Sequence, residues 1–171
     1  PSSAASDVYK RQTVQCGVTV IDPATGGIVA MVGASPRSMK GVTGSRYSLN
    51  HCTEVRRQPG SAFKPFVYAS ALADSPISPA TEIESGPFSY KLPDGQVWSP
   101  RGSMEHGGPV SLSTALKFSV NTVAARLITE YTNPTNVISV ARRMGISTPM
   151  DAFPALALGV EEVYPIELTA A

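Results

Sequence analysis

Charge, cysteine, histidine and long apolar runs are all scarce in this sequence, and each scarcity removes a class of function. Only 16% of the 171 residues are charged and the formal net charge is +1, which leaves no electrostatic case for nucleic acid or for an anionic membrane surface. No apolar run approaches the ~20 residues of a membrane span, and no secretory leader is visible. Cys16 and Cys52 form no metal-binding spacing, and His51 and His106 are not arranged as ligands, so no metal or cofactor is expected. The two cysteines read as unpaired, small, core-like residues, with a disulfide left open. What remains is a hydrophobic content of 42%, enough for a core, and a length that suggests one domain or part of a larger one.

The chain is organised around Arg56-Arg57-Gln58-Pro59-Gly60-Ser61-Ala62-Phe63-Lys64-Pro65-Phe66. Pro59-Gly60 predicts a turn and Ser61 to Asp74 predicts a helix, with Ser61 at its start. Residues three apart share a helix face, so Lys64 projects beside Ser61, one turn deeper. A serine hydroxyl is a poor nucleophile unless a neighbouring base takes its proton. A lysine serves as that base only when desolvation or other positive charge keeps it neutral. The helix N-terminus adds a positive dipole end where an oxyanion would develop. The stretch therefore predicts an acyl-transfer site. Phe63, Phe66, Val67, Ala71 and Leu72 fall on apolar faces, which predicts a buried central helix, and Pro65 is tolerated in the first turn.

Along the rest of the chain, residues 1–12 are polar and without a period, and read as a disordered or foreign tail. Cys16, Val18 and Val20 alternate with Gly17, Thr19 and Ile21, predicting a strand with at least one well-buried face. The turn chemistry of residues 22–27 and the apolar run Ile28 to Val32 complete an antiparallel hairpin. Residues 35–55 are loop-like, and the Ser48-Leu49-Asn50 in them is read as loop rather than as chemistry. Between 80 and 110 short strands are expected around Phe88 to Leu92 and at Val97-Trp98. Ser111 or Ser113 caps a helix to about Phe118, and a second runs from Thr122 to Tyr131 with Val123, Ala124, Leu127 and Ile128 inward. Ser119-Val120-Asn121 lies between them. Asn133-Pro134 opens a third helix through Arg142-Arg143-Met144, stopped by Gly145; the arginine pair reads as a solvated face.

A lone Ser-x-x-Lys arises by chance about once in a chain of this size; the flanks carry more. Arg57 to Leu72 (RQPGSAFKPFVYASAL) resembles the active-serine segment of class A penicillin-binding proteins. VIDPATGGIVAMVGA resembles the opening hairpin of their transpeptidase domain, SLSTALKFSVNTVAARL its second motif, and PALALGVEEVYPIELTAA the segment before the third. The resemblance runs from Gln15 to Ala171, so residues 13–171 are expected to form the N-terminal and central part of a transpeptidase domain. Asn50 falls where family members carry an Asn before the serine segment. Gly102 stands where a Pro-x-Asn loop usually has its Asn.

The resemblance implies an α+β penicillin-binding/β-lactamase-like fold, an antiparallel sheet covered by helices, incomplete at the C-terminus. It implies a D,D-transpeptidase that cross-links peptidoglycan stem peptides ending in D-Ala-D-Ala, with β-lactams as covalent inhibitors. Ser61 would be the nucleophile, Lys64 the base, Ser119 the proton relay to the leaving amine, and Asn121 a substrate-binding amide that also holds Lys64. It further implies an extracytoplasmic location, anchoring through an N-terminal segment that this chain lacks, and a glycosyltransferase domain upstream. No Lys-Thr-Gly or Lys-Ser-Gly occurs, so the 171-residue chain by itself is expected to be inactive and poorly stable. Two rivals remain open at this stage: a serine β-lactamase or β-lactam sensor, for which Glu130, Glu161 and Glu162 are available as bases, and a catalytically dead scaffold module. A Ser-His-Asp hydrolase is dropped, since Ser61 lacks the Gly-x-Ser-x-Gly elbow.

Overall fold

The computed structural model describes residues 16–34, 49–101 and 107–171, which fall into two units: residues up to 56 with 164–170, and residues 57–163 with 171. The tail 1–12, Ser48, Gly102 and His106 lie outside the described residues. In chain order the elements are β1 (Val18–Ile21), β2 (Ile28–Val32), α1 (Lys64–Asp74), β3 (Glu82–Glu84), β4 (Tyr90–Lys91), β5 (Val97–Trp98), β6 (Pro109–Ser111), α2 (Leu112–Lys117), α3 (Asn121–Arg126), α4 (Pro134–Arg143) and α5 (Pro165–Ala170).

In the first unit β1 and β2 form the expected antiparallel hairpin, with Val18 opposite Val32, Thr19 opposite Met31 and Val20 opposite Ala30. The Asp22 carboxylate closes the turn by accepting from the Ala24 amide and the Thr25 hydroxyl, each at 2.9 Å. The expectation of a well-buried strand face does not hold. Val18, Val20 and Val32 share a face and stay 44–49% exposed, while Thr19, Ile21 and Met31 opposite are only half-buried. The cause is thin cover: among the described residues, α5 is the element packed on β1. Cys52 is buried and Cys16 exposed, and both are free thiols. Cys52 Sγ reaches the carbonyls of Val18 at 3.5 Å and Val32 at 3.3 Å, one on each strand. Asn50 acts locally, its Oδ1 accepting from the Cys52 amide at 2.9 Å.

In the second unit, α1 packs against α3, α4 and the π-helical turn Leu127–Tyr131 that continues α3. Phe63, Val67 and Ala71 have no exposure, and the Phe63 and Phe66 rings meet at 5.0 Å. Leu72 departs from its predicted apolar face: the last turn of α1 runs into solvent, leaving it 38% exposed. The helix expected from Ser61 also begins later. Gly60–Phe63 is a 3₁₀ turn, and α-helical bonding starts at Lys64. Val123, Ala124, Leu127 and Ile128 are buried as expected. Ser111 is the cap of α2, accepting from the Thr114 amide. Asn133 caps α4 by accepting from the Asn136 amide, and Pro134 takes the first turn.

Strands β4 and β5 pair where short strands were expected, but the antiparallel pair β3–β6 is absent from the sequence reading. Its apolar signal is a single residue, Ile83, between two glutamates. It is held by polar clamps instead. Glu84 Oε1 accepts from the amides of Gly86 at 2.8 Å and Gly108 at 2.6 Å, and the Gly108 and Gly86 amides hold its carboxyl below the usual range. The buried Thr122 hydroxyl donates to the Ser85 carbonyl at 2.6 Å, tying the start of α3 to this pair.

Candidate active site

Ser61 sits exposed in the 3₁₀ turn, and Lys64 follows as the first residue of α1 with 1% exposure. Pro59-Gly60 produces that turn because Gly60 takes a left-handed conformation, φ +56°. Phe63, Phe66 and Val67 are buried and anchor the turn in the core, and Lys64 is buried along with them while its ammonium end meets polar atoms.

Those polar atoms come from two residues on the far side of the α2–α3 junction. Lys64 Nζ lies 2.6 Å from the Ser119 carbonyl, 2.9 Å from Ser119 Oγ and 2.6 Å from Asn121 Oδ1. The structure thus brings Lys64, Ser119 and Asn121 to one point. Ser61, one turn before Lys64, makes no side-chain hydrogen bond to them. Burial pushes the Lys64 amine below its ordinary value, and the positive end of its own helix works in the same direction. The three contacts suit either protonation state. The two carbonyl oxygens accept two N–H groups from ammonium or amine alike. The third partner, a hydroxyl, accepts from the ammonium or donates to the lone pair of the amine. A proton can therefore pass between Lys64 and Ser119 without movement of heavy atoms.

Ser119 is the single non-glycine residue with positive φ among the described residues, at +56°. Its amide bonds to the Leu116 carbonyl at 3.0 Å and the Val120 amide to the Ala115 carbonyl at 2.9 Å. That pair of bonds is a Schellman helix ending, with Ser119 where glycine usually stands. The same ending closes α4, there with the expected glycine: Gly145 bonds to Arg142 and Ile146 to Ala141, both at 3.1 Å. The left-handed turn lets the carbonyl and the hydroxyl of one residue reach the same lysine nitrogen.

The Asn121 amide is fixed from behind. Its Nδ2 donates to the Arg101 carbonyl at 2.8 Å, so a flipped amide would set two carbonyl oxygens against each other. Oδ1 must face Lys64, and one N–H remains for a ligand.

Two contributors escaped the sequence reading. The Arg101 contact is made by main chain, which no residue type announces. Gly159 closes the 3₁₀ turn Pro154–Leu158 in a left-handed conformation and its carbonyl accepts from the Gly60 amide at 3.0 Å. A glycine ending an apolar run was the available signal for it.

A family model described as the penicillin binding protein transpeptidase domain matches residues 16–162. Penicillin-binding protein 2D of Bacillus subtilis is 30% identical over 158 residues, spanning 91% of this chain and 22% of its own length. Penicillin-binding protein 1A of Aquifex aeolicus is 35% identical over 153 residues, spanning 88% of this chain and 20% of its own. The crystal structure of penicillin-binding protein 1A from Haemophilus influenzae superposes with a TM-score of 0.76 at 28% identity, covering 90% of this chain and 22% of that one. The chain thus spans about a fifth of the length of the curated relatives it matches.

Proposed function

Because this chain belongs to the penicillin-binding protein transpeptidase family, we propose that its full-length protein is a serine-type D,D-transpeptidase that cross-links peptidoglycan stem peptides. The observation that carries the reading is the convergence of the Ser119 carbonyl, Ser119 Oγ and Asn121 Oδ1 on the buried Lys64 nitrogen. A lysine held this way is desolvated enough to act as a base and has a hydroxyl in place to carry its proton onward.

In the proposed cycle Ser61 Oγ attacks the carbonyl between two terminal D-alanines while its proton passes to the neutral Lys64 amine. The peptide C–N bond breaks, and the departing amine receives that proton through the Ser119 hydroxyl. The acyl group is left as an ester on Ser61. An amine of a neighbouring stem then attacks the ester, the amide cross-link forms, and the serine oxygen regains a proton. The remaining Asn121 N–H binds a peptide carbonyl of the donor strand. β-Lactams acylate Ser61 by the same first step. Among the described residues no helix is long and apolar enough to cross a membrane. Anchoring, a glycosyltransferase domain and the third motif are assigned to the rest of the full-length protein, which works on the extracytoplasmic face.

The test is fluorescent penicillin on the full-length protein, followed by peptide mapping. The expected result is one long-lived adduct on the peptide containing Ser61. No adduct would revive a scaffold role, rapid release a hydrolase, and an adduct on another serine would remove the proposed nucleophile.

The pH profile of acylation follows from Lys64. The neutral amine is the active form, and burial lowers its pKa below the ordinary 10.5. The acylation rate constant should therefore rise with pH and level off through a titration centred below that value. A midpoint at or above 10.5, measured with a β-lactam stable across the range, would contradict a desolvated base.

A further inference from the structure

Segments far apart in sequence run antiparallel beside the nucleophile's turn. The Arg57 amide donates to the Val163 carbonyl at 2.9 Å, the Val163 amide to the Arg57 carbonyl at 3.0 Å, and the Gly60 amide to the Gly159 carbonyl at 3.0 Å. At the upper end of this strap two left-handed glycines face each other, Gly60 at φ +56° and Gly159 at φ +67°. Their situations differ. A Cβ on Gly60 would meet nothing within 4 Å, whereas one on Gly159 would lie 2.1 Å from the Gly60 oxygen, 2.7 Å from its nitrogen and 2.8 Å from its carbonyl carbon. All three are main-chain atoms, so no side chain can swing aside to make room. Gly60 is also the first residue of the 3₁₀ turn that carries Ser61.

We propose that Gly159 is a positioning residue for Ser61: the main chain at 159–163 is a template against which the nucleophile's turn is set. Any side chain at 159 pushes Gly60 away, and Ser61 with it, while Lys64 keeps the Ser119 and Asn121 contacts that hold it separately. A displacement of about 1 Å at a reacting group costs on the order of 100-fold in rate. This inference rests on the reading of Ser61 as the acylated serine.

The experiment compares Gly159→Ala with wild type in the full-length protein, measuring both the acylation rate constant and the fraction of protein finally labelled by fluorescent penicillin. A positioning role predicts a rate constant lower by about 100-fold, an undiminished final fraction and an unchanged pH midpoint, since the surroundings of Lys64 are intact. A merely structural role would lower the final fraction and leave the rate of the remaining active molecules unaltered, which would overturn the proposal. Gly145→Ala, at another left-handed glycine with nothing within 4 Å of an added Cβ, should leave the rate constant at the wild-type value. Should Gly159→Ala fail to fold, Arg57→Pro removes one strap hydrogen bond from an exposed residue and is expected to slow acylation several-fold at full final labelling; a wild-type rate there would overturn the template. Absence of labelling in the wild type would instead sink the proposed function and this inference with it, whereas normal wild-type labelling with unaffected variants would sink the inference alone.

Discussion

Replacing Lys64 by methionine is expected to slow acylation of Ser61 by about 100- to 10,000-fold, the range general-base catalysis commonly supplies, while leaving the protein folded. Lys64 is 1% exposed, and methionine fills nearly the same volume, so no large cavity opens. The substitution strips one donor from the Ser119 carbonyl and from Asn121 Oδ1. Ser119 is exposed and Asn121 half-buried, so water can take the vacated bonds. Lys64→Arg should be equally inactive although it keeps the charge, because a guanidinium does not give up its proton at working pH and its planar fork does not fit three converging acceptors. Stopped-flow acylation kinetics beside a thermal melt would decide the matter. A folded Lys64→Met protein acylated within tenfold of wild type would mean that another group takes the serine proton.

The second large effect is at Ser119, where activity and stability are expected to move in opposite directions. A left-handed conformation costs a residue with a side chain about 1–2 kcal/mol, and glycine escapes that cost. Glycine loses more freedom on folding, which takes back about 0.5–1 kcal/mol. Ser119→Gly should therefore match or exceed wild type in stability, and should exceed Ser119→Ala, which keeps the strain without the hydroxyl. Both variants lose the hydroxyl beside Lys64 Nζ and should acylate about 100-fold more slowly or worse. The stability difference between the glycine and alanine variants isolates the backbone, because neither has the hydroxyl. If alanine proved as stable as glycine, the left-handed φ would not be a store of strain.

These two residues also mark how far sequence reasoning reached. Caps and stops with a local chemical cause were legible: the Asn133-Pro134 start, the Gly145 stop, the cap at Ser111 or Ser113, which the structure gives to Ser111, and the inward stripe of Val123, Ala124, Leu127 and Ile128. So was the family, from four stretches of matching sequence. The residue types at 64, 119 and 121 were legible too, but not how they meet. Nothing in a serine codon reports that its backbone is left-handed, or that its carbonyl and its hydroxyl serve the same nitrogen. The β3–β6 pair was invisible because its stability lies in Glu84 bonding to the Gly86 and Gly108 amides, not in an apolar pattern. The hairpin misled in the opposite direction. Alternation at Val18 and Val20 signals a strand, yet alternation alone does not say what lies against it. The 3₁₀ turn Gly60–Phe63 and the Gly60–Gly159 approach are likewise products of tertiary contact.

The bond from Asn121 to the Arg101 carbonyl has a consequence for how this site can vary over evolutionary time. Every amino acid brings the same carbonyl, so the side chain at 101 is free to drift in charge, size and shape while Asn121 stays aimed at Lys64. Substitutions there alter what surrounds the site without disarming it. A change in the path of the loop, by insertion, deletion or a proline, is what would release the amide. Selection can thus remodel the rim of this site through one class of mutation and is barred from it through another.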